Sequence, residues 1–229
     1  MAVTWTARLW GSIEPIFAAI LDHPFLAGLS DATLPPESFA YYLAQDAHYL
    51  RDYARALAVV GAKAPTHAET AMFGQHAAQT AQVEMALHAT LLPQLGIDPA
   101  ELDAIPPSPT TTAYTSYLLA VGHGGSFTEG LAAVLPCYWI YQRVGEALVE
   151  RGSPDARYQQ WIDTYAGEAF AETVAQVLTV ADRIGAELGA EDERRAHRHF
   201  IATARYEWMF WDAAWRRETW PLDGLSQRP

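Results

Sequence analysis

Ser126-Phe-Thr-Glu-Gly-Leu-Ala-Ala-Val-Leu-Pro-Cys-Tyr-Trp-Ile-Tyr141 is the stretch from which the fold can be read. It opens with a capping box, Ser126-x-x-Glu129, in which a serine and a carboxylate satisfy backbone donors left over at a helix start. The apolar run from Leu131 to Tyr141 that follows suits a core helix and is far too short to cross a bilayer. In its middle sit Pro136 and the chain's one cysteine, Cys137. Pro136 lacks a backbone donor, so a kink beside the thiol is expected. Cys137 and Tyr141 lie one turn apart and project from one face.

The same helical spacing extends outward in both directions. Leu9, Ile13, Ile16, Phe17 and Ile20 form one apolar stripe, which His23-Pro24-Phe25-Leu26 breaks. Pro35 and Pro36 suit the first turn of a long second helix, with Phe39, Tyr42, Leu43, Leu50, Tyr53 and Leu57 facing inward. A second capping box, Thr66-x-x-Glu69, starts a helix that runs to about Pro93. The proline-rich stretch from Gln94 to Thr110 reads as the longest loop. A short helix carrying Tyr114 and Tyr117 then ends at Gly122-His-Gly-Gly125. Ser153-Pro154 is expected to open the helix of Trp161 and Tyr165, which bends or restarts near Gly167. Glu191 to about Trp215 reads as a long final helix. Strand signals are nearly absent. The expectation is all-α: one irregular bundle of eight or so helices over residues 1–220, with a polar, frayed tail at 221–229.

Bulk composition narrows the function. Half of the 229 residues are apolar, with eight Trp, eleven Tyr and eight Phe. The formal charge is -12 and Lys63 is the only lysine, which argues against nucleic-acid binding, since phosphate neutralisation needs clustered Lys and Arg. No signal-peptide pattern opens the chain. A lone cysteine, unable to form an intrachain disulfide, fits a reducing cytoplasm. No membrane partner is expected.

Two acids fall on apolar helical faces. Asp46 lies between Leu43 and Leu50 on the stripe of the second helix, and Glu207 shares a face with Phe200, Ala204, Phe210 and Ala214. An inward carboxylate is costly without a partner. Each acid therefore reads either as a structural ion pair or as a pocket carboxylate, whose raised pKa would suit proton transfer near neutrality. Cys137 likewise reads either as a small buried hydrophobe or as a nucleophile. No His or Lys stands near it in sequence to stabilise a thiolate, which leaves an acid side chain as base, with Glu207 the better candidate. Tyr49, Tyr114 and Tyr165 suit either core or pocket wall. Glu84-x-x-x-His88 puts a carboxylate and an imidazole on one helical face, as di-metal bundles do, but without a second such pair. No phosphate-binding glycine loop is present.

Three segments carry a family resemblance: Gln45-Asp46-x-x-Tyr49-Leu50, Leu135-Pro136-Cys137-Tyr138-Trp139-x-Tyr141 and Tyr206-Glu207-x-x-Phe210-Trp211. Together with His23-Pro24-Phe25 they resemble, in order, the TenA family in its cysteine-bearing class, the thiaminase II enzymes or aminopyrimidine aminohydrolases. The resemblance implies an all-helical fold similar to heme oxygenase but without heme, and a homotetramer. It implies hydrolysis of 4-amino-5-aminomethyl-2-methylpyrimidine to the hydroxymethyl pyrimidine and ammonia in thiamin salvage, with thiamin cleavage as a second activity. On the family pattern Cys137 matches the nucleophile, Glu207 the acid/base and Asp46 a second pyrimidine-binding carboxylate. Tyr49, Tyr114, Tyr141, Tyr165 and Phe210 match pocket residues, with Tyr117 a substitute for Tyr114. No cofactor or metal is implied. Where relatives often read Asp-Gly-Thr-Leu this chain has Asp31-Ala32-Thr33-Leu34; alanine resists a positive φ, so a differently shaped loop is expected. Two other readings stay open: a metal-dependent oxygenase of the same architecture, motivated by Glu84 and His88, and a non-catalytic ligand-binding or regulatory protein.

Overall fold

Apolar stripes that recur at helical spacing become helices packed on one another. A computed structural model describes residues 3–94 and 105–221, with the backbone alone for 83–90, 92 and 93. The described residues form nine helices: α1 (Trp5–Leu21), α2 (Pro24–Asp31), α3 (Pro36–Ala62), α4 (His67–Gln94), α5 (Pro109–Gly124), α6 (Phe127–Val149), α7 (Ala156–Ala166), α8 (Glu168–Gly185) and α9 (Ala190–Arg216). The part of the expected long loop at 95–104, the expected tail at 222–229 and the side chains of Glu84 and His88 lie outside the described residues.

Helix starts follow side-chain chemistry. On α6 the capping box is complete: Ser126 N–H donates to Glu129 Oε2 at 2.9 Å, and Glu129 N–H to Ser126 Oγ at 3.3 Å. Only half of the box at Thr66 forms. Glu69 N–H reaches Thr66 Oγ1 at 3.3 Å, but the Glu69 carboxylate pairs with Arg183 of α8, a cation that local sequence does not reveal. The helix of Trp161 begins at Ala156 and not at Ser153-Pro154, because Asp155 is the cap, accepting from Arg157 N–H at 2.9 Å. Gly167 separates α7 from α8, as expected.

One further expectation needs correction. His23-Pro24 ends one helix but also begins another. His23 Nδ1 accepts from Phe25 N–H at 3.1 Å, and Pro24 presets the backbone angle of the first turn, giving α2. In the loop after α2, Ala32 adopts a left-handed backbone with φ of 59°, a conformation that alanine resists. Asp31 Oδ1 holds the turn, accepting from Thr33 N–H at 3.0 Å and Thr33 Oγ1 at 2.6 Å.

Helix α6 is the central element, packing against α3, α5, α7, α8 and α9. The helix runs unbroken through buried Pro136. Gly145 lets α7 press on it: a Cβ there would lie 2.5 Å from the Tyr165 carbonyl carbon, so no other residue permits this approach. On α9 the expected stripe of Phe200, Ala204, Glu207, Phe210 and Ala214 is buried throughout. Trp211 is core, whereas Trp215 and Trp220 are exposed. No described helix is long and apolar enough to cross a membrane.

Candidate active site

Five helices bring their polar residues to one place. Asp46, Tyr49 and Tyr53 recur along one face of α3, Tyr114 comes from α5, and Cys137 and Tyr141 from α6. Tyr165 ends α7, and α9 supplies Glu207 and Phe210. Glu207 is 1 % exposed and Asp46 5 %. Cys137 keeps partial accessibility, although the tyrosines and acids around it are buried. A thiol deep in a bundle that still has free surface marks local open space.

The rings form two groups. Tyr49 stands 4.9 Å from Tyr114 and 5.6 Å from Phe210, centroid to centroid. Tyr141 stands 4.8 Å from Tyr165, and its hydroxyl is 3.2 Å from that of Tyr42. These are the flat walls that an aromatic ligand requires. The Tyr49 hydroxyl is buried facing the Cys137 thiol, without a well-formed protein hydrogen bond. A buried orphan donor of this kind is expected to find its partner in a ligand or water.

The electrostatics separate acid from thiol. Glu207 accepts a 2.5 Å hydrogen bond from the Tyr114 hydroxyl. Burial pushes its carboxyl pKa up to about 8; the Tyr114 bond opposes this and the Asp46 carboxylate adds to it. Glu207 thus holds its proton at neutral pH. The Cys137 thiol is pushed well above its ordinary range, first by burial and then by the Glu207 and Asp46 charges, against the help of the Tyr49 and Tyr53 hydroxyls. The same influences link Tyr165 to Asp46 and Cys137.

Every catalytic and pocket candidate matched to the family pattern is therefore placed, whereas the Glu84 and His88 side chains lie outside the described residues. Asp46, Tyr49, Tyr114, Cys137, Tyr141, Tyr165, Glu207 and Phe210 converge. Between the two alternatives on α5, it is Tyr114 that meets Glu207; Tyr117 is half-buried and bonds His199 Nδ1 at 2.8 Å. Tyr53 was legible only as an apolar-stripe aromatic and Tyr138 only as part of the cysteine segment, yet both neighbour the sulfur. Their one signal was position: Tyr53 continues the Asp46 face by two helical turns, and Tyr138 adjoins the cysteine. Among the described residues no three His, Cys, Asp or Glu side chains are grouped to hold a metal.

Comparison with known proteins gives a consistent picture. A family profile described as TENA/THI-4/PQQC matches residues 10–217. The chain is 37% identical to the aminopyrimidine aminohydrolase of Bacillus subtilis, over 90% of this chain and 87% of that protein. It is 38% identical to the thiamine biosynthesis multifunctional protein ThiED of Corynebacterium efficiens, over 93% of this chain but only 28% of that longer protein. The structure of a TenA homologue from P. horikoshii superposes with a TM-score of 0.86 at 31% identity, covering 93% and 99% of the two chains. The expected architecture is also found: a Shewanella denitrificans domain described as having a heme oxygenase-like fold superposes at a TM-score of 0.75, with 16% identity and 95% and 94% coverage.

Proposed function

The chain belongs to the TENA/THI-4/PQQC family, and on that premise we propose that it is an aminopyrimidine aminohydrolase. Its reaction is hydrolysis of 4-amino-5-aminomethyl-2-methylpyrimidine to the 5-hydroxymethyl compound and ammonia, in thiamin salvage. Thiamin cleavage is a second activity of the same site. The observation that supports this reading most is the convergence of Cys137, Glu207 and Asp46, from three helices, on one aromatic-walled space.

An aromatic pyrimidine resists displacement at its exocyclic methylene until the ring is made electrophilic. Glu207, protonated at neutral pH, gives its proton to a ring nitrogen and takes up the thiol proton in exchange. The Cys137 sulfur then bonds to a ring carbon, and the ring electrons break the methylene C–N bond and expel the amine, which leaves as ammonia with the thiol proton now held by Glu207. Water adds to the methylene so exposed, and loss of the thiol restores aromaticity. Covalent catalysis of this kind divides one hard step into easier ones. Asp46 anchors the polar edge of the pyrimidine. Tyr49, Tyr114, Tyr141, Tyr165 and Phe210 orient and stack it, which fixes the sulfur and ring at attacking distance.

The same reading has the protein act in the cytoplasm, where a free thiol persists, and as a homotetramer, for which exposed Met209 and Trp215 on α9 offer apolar contact surface. The decisive assay is ammonia release from the aminomethyl pyrimidine by the parent and by Cys137→Ala. The parent is expected to turn over and the folded variant to be inactive while still binding pyrimidine. A variant with near-parental turnover would overturn the nucleophile assignment.

A further inference from the structure

A second line of polar groups reaches Cys137, and the chemistry above makes no use of it. Tyr53 of α3 has its hydroxyl beside the sulfur and donates to the Val134 carbonyl at 2.9 Å. The Tyr138 hydroxyl of α6 neighbours that of Tyr53, with ring centroids 5.8 Å apart. Tyr138 in turn shares a 3.1 Å hydrogen bond with Nδ1 of His76 on α4. His76 is itself 5 % exposed, and Gln176 of α8 faces its side chain.

A buried histidine hydrogen-bonded to a tyrosine could simply tie α4 to α6. This one differs because its line ends at a thiol in difficult surroundings. The acidic groups facing the sulfur among the described residues are both carboxyls, Asp46 on α3 and Glu207 on α9, and neither can pair with a thiolate. Its other titratable neighbours are tyrosines of α3, α5, α6 and α7. With no cation at hand among the described residues, a thiolate is stabilised by hydrogen-bond donors.

We propose that His76 is a positioning residue for the reactive thiol: through Tyr138 it holds the Tyr53 hydroxyl ready to donate to the Cys137 sulfur as that sulfur gains charge. In the resting site the Tyr53 proton sits on the Val134 carbonyl. On ionisation it swings to the sulfur, Tyr138 donates to the Tyr53 oxygen, and the Nδ1–H of His76 donates to the Tyr138 oxygen. No proton in this line changes owner; the thiol proton leaves by Glu207. Burial holds the imidazole below its ordinary range, so it works as a neutral group with a single N–H.

The proposal rests on reading Cys137 as the nucleophile, but its test requires no pyrimidine. Cys137 is the only cysteine, so the rate of alkylation by iodoacetamide reports this thiol alone. The rate is measured from roughly pH 6 to 10 on the full chain, on Tyr138→Phe, on His76→Leu and on His76→Asn, with melting temperatures taken alongside. Tyr138→Phe and His76→Leu are expected to slow alkylation by about fivefold at neutral pH and to move its midpoint upward. His76→Asn, whose amide can donate from near the Nδ1 position, should stay within about twofold of the parent. Tyr138→Phe keeps its ring, and it carries the test if His76→Leu does not fold. Profiles for Tyr138→Phe that superpose on the parent's would overturn the proposal. So would His76→Asn as slow as His76→Leu, because packing and not donation would then be what matters. A protein that releases no ammonia yet shows the expected alkylation pattern would refute the hydrolase reading and leave the relay standing.

Discussion

Helix α9 carries the same chemical group into two opposite worlds. Glu191 lies in its first turn, exposed and paired with Arg194, where the helix dipole also favours negative charge. Those influences lower its pKa, the Arg194 hydrogen bond most of all. Further along, Glu207 is buried against Tyr114 and shares its space with Asp46 and Cys137, and its pKa rises to about 8. The first end of α9 spends its charges on solvated pairs such as Asp192 with Arg195 and Glu193 with Arg8 at 2.7 Å, each of small value. The second keeps one acid uncharged. What a glutamate does here is decided by its packing, not by its helix.

Neutralising the two acids should give unequal results. Glu207→Gln is expected to lower kcat by roughly a hundredfold or more, with KM changed far less, because the proton is needed in the transition state. Steady-state ammonia release checks this, and a kcat within twofold of the parent would erase the contrast between the two ends of α9.

Stability provides the next contrast. Unfolded Glu207 ionises from its ordinary 4.5 upward, whereas the folded carboxyl keeps its proton to about 8. Between those values unfolding releases a proton, so its contribution to stability is whole below 4.5 and falls as pH rises towards 8. Glu207→Gln escapes that loss. Its Tm should gain on the parent's by roughly 10 °C across the window, as read by calorimetry at several pH values. A gap that does not change with pH would mean that the folded carboxyl ionises normally.

A smaller effect is expected at Tyr114. Its hydrogen bond favours the ionised Glu207, so Tyr114→Phe should lift the alkaline limb of the rate profile to higher pH. It should also lower kcat by about tenfold through lost orientation; an unmoved limb would remove Tyr114 from the acid's control. Smallest of all, Glu191→Gln should leave turnover unchanged and Tm within about one degree of the parent, which a thermal melt decides.

These contrasts explain what could be read in advance. Asp46 and Glu207 were legible as inward acids because helical spacing alone decides which face a residue shares. Ser126 and Glu129 were legible because a capping box closes within four residues. Glu69 was misread as completing a second box, since its real partner, Arg183, arrives from α8. Asp155 was missed for the neighbouring Ser153-Pro154, because both carry plausible start signals and only the backbone path chooses. That the sulfur and two acids meet depends on how α3, α6 and α9 cross, which no local pattern encodes; the family resemblance supplied it. His76 had no signal at all, since its link to the thiol passes through two tyrosines that look like ordinary core.

Gly145 has a consequence for what the protein can accept. Because bare backbone, with no side chain between, sets the approach of α7 to α6, the Tyr165 and Tyr141 rings lie against each other, 4.8 Å between centroids, as one continuous wall. A wall whose depth is set by backbone contact offers a fixed aromatic face, and such a face stacks with planar heterocycles better than with puckered rings.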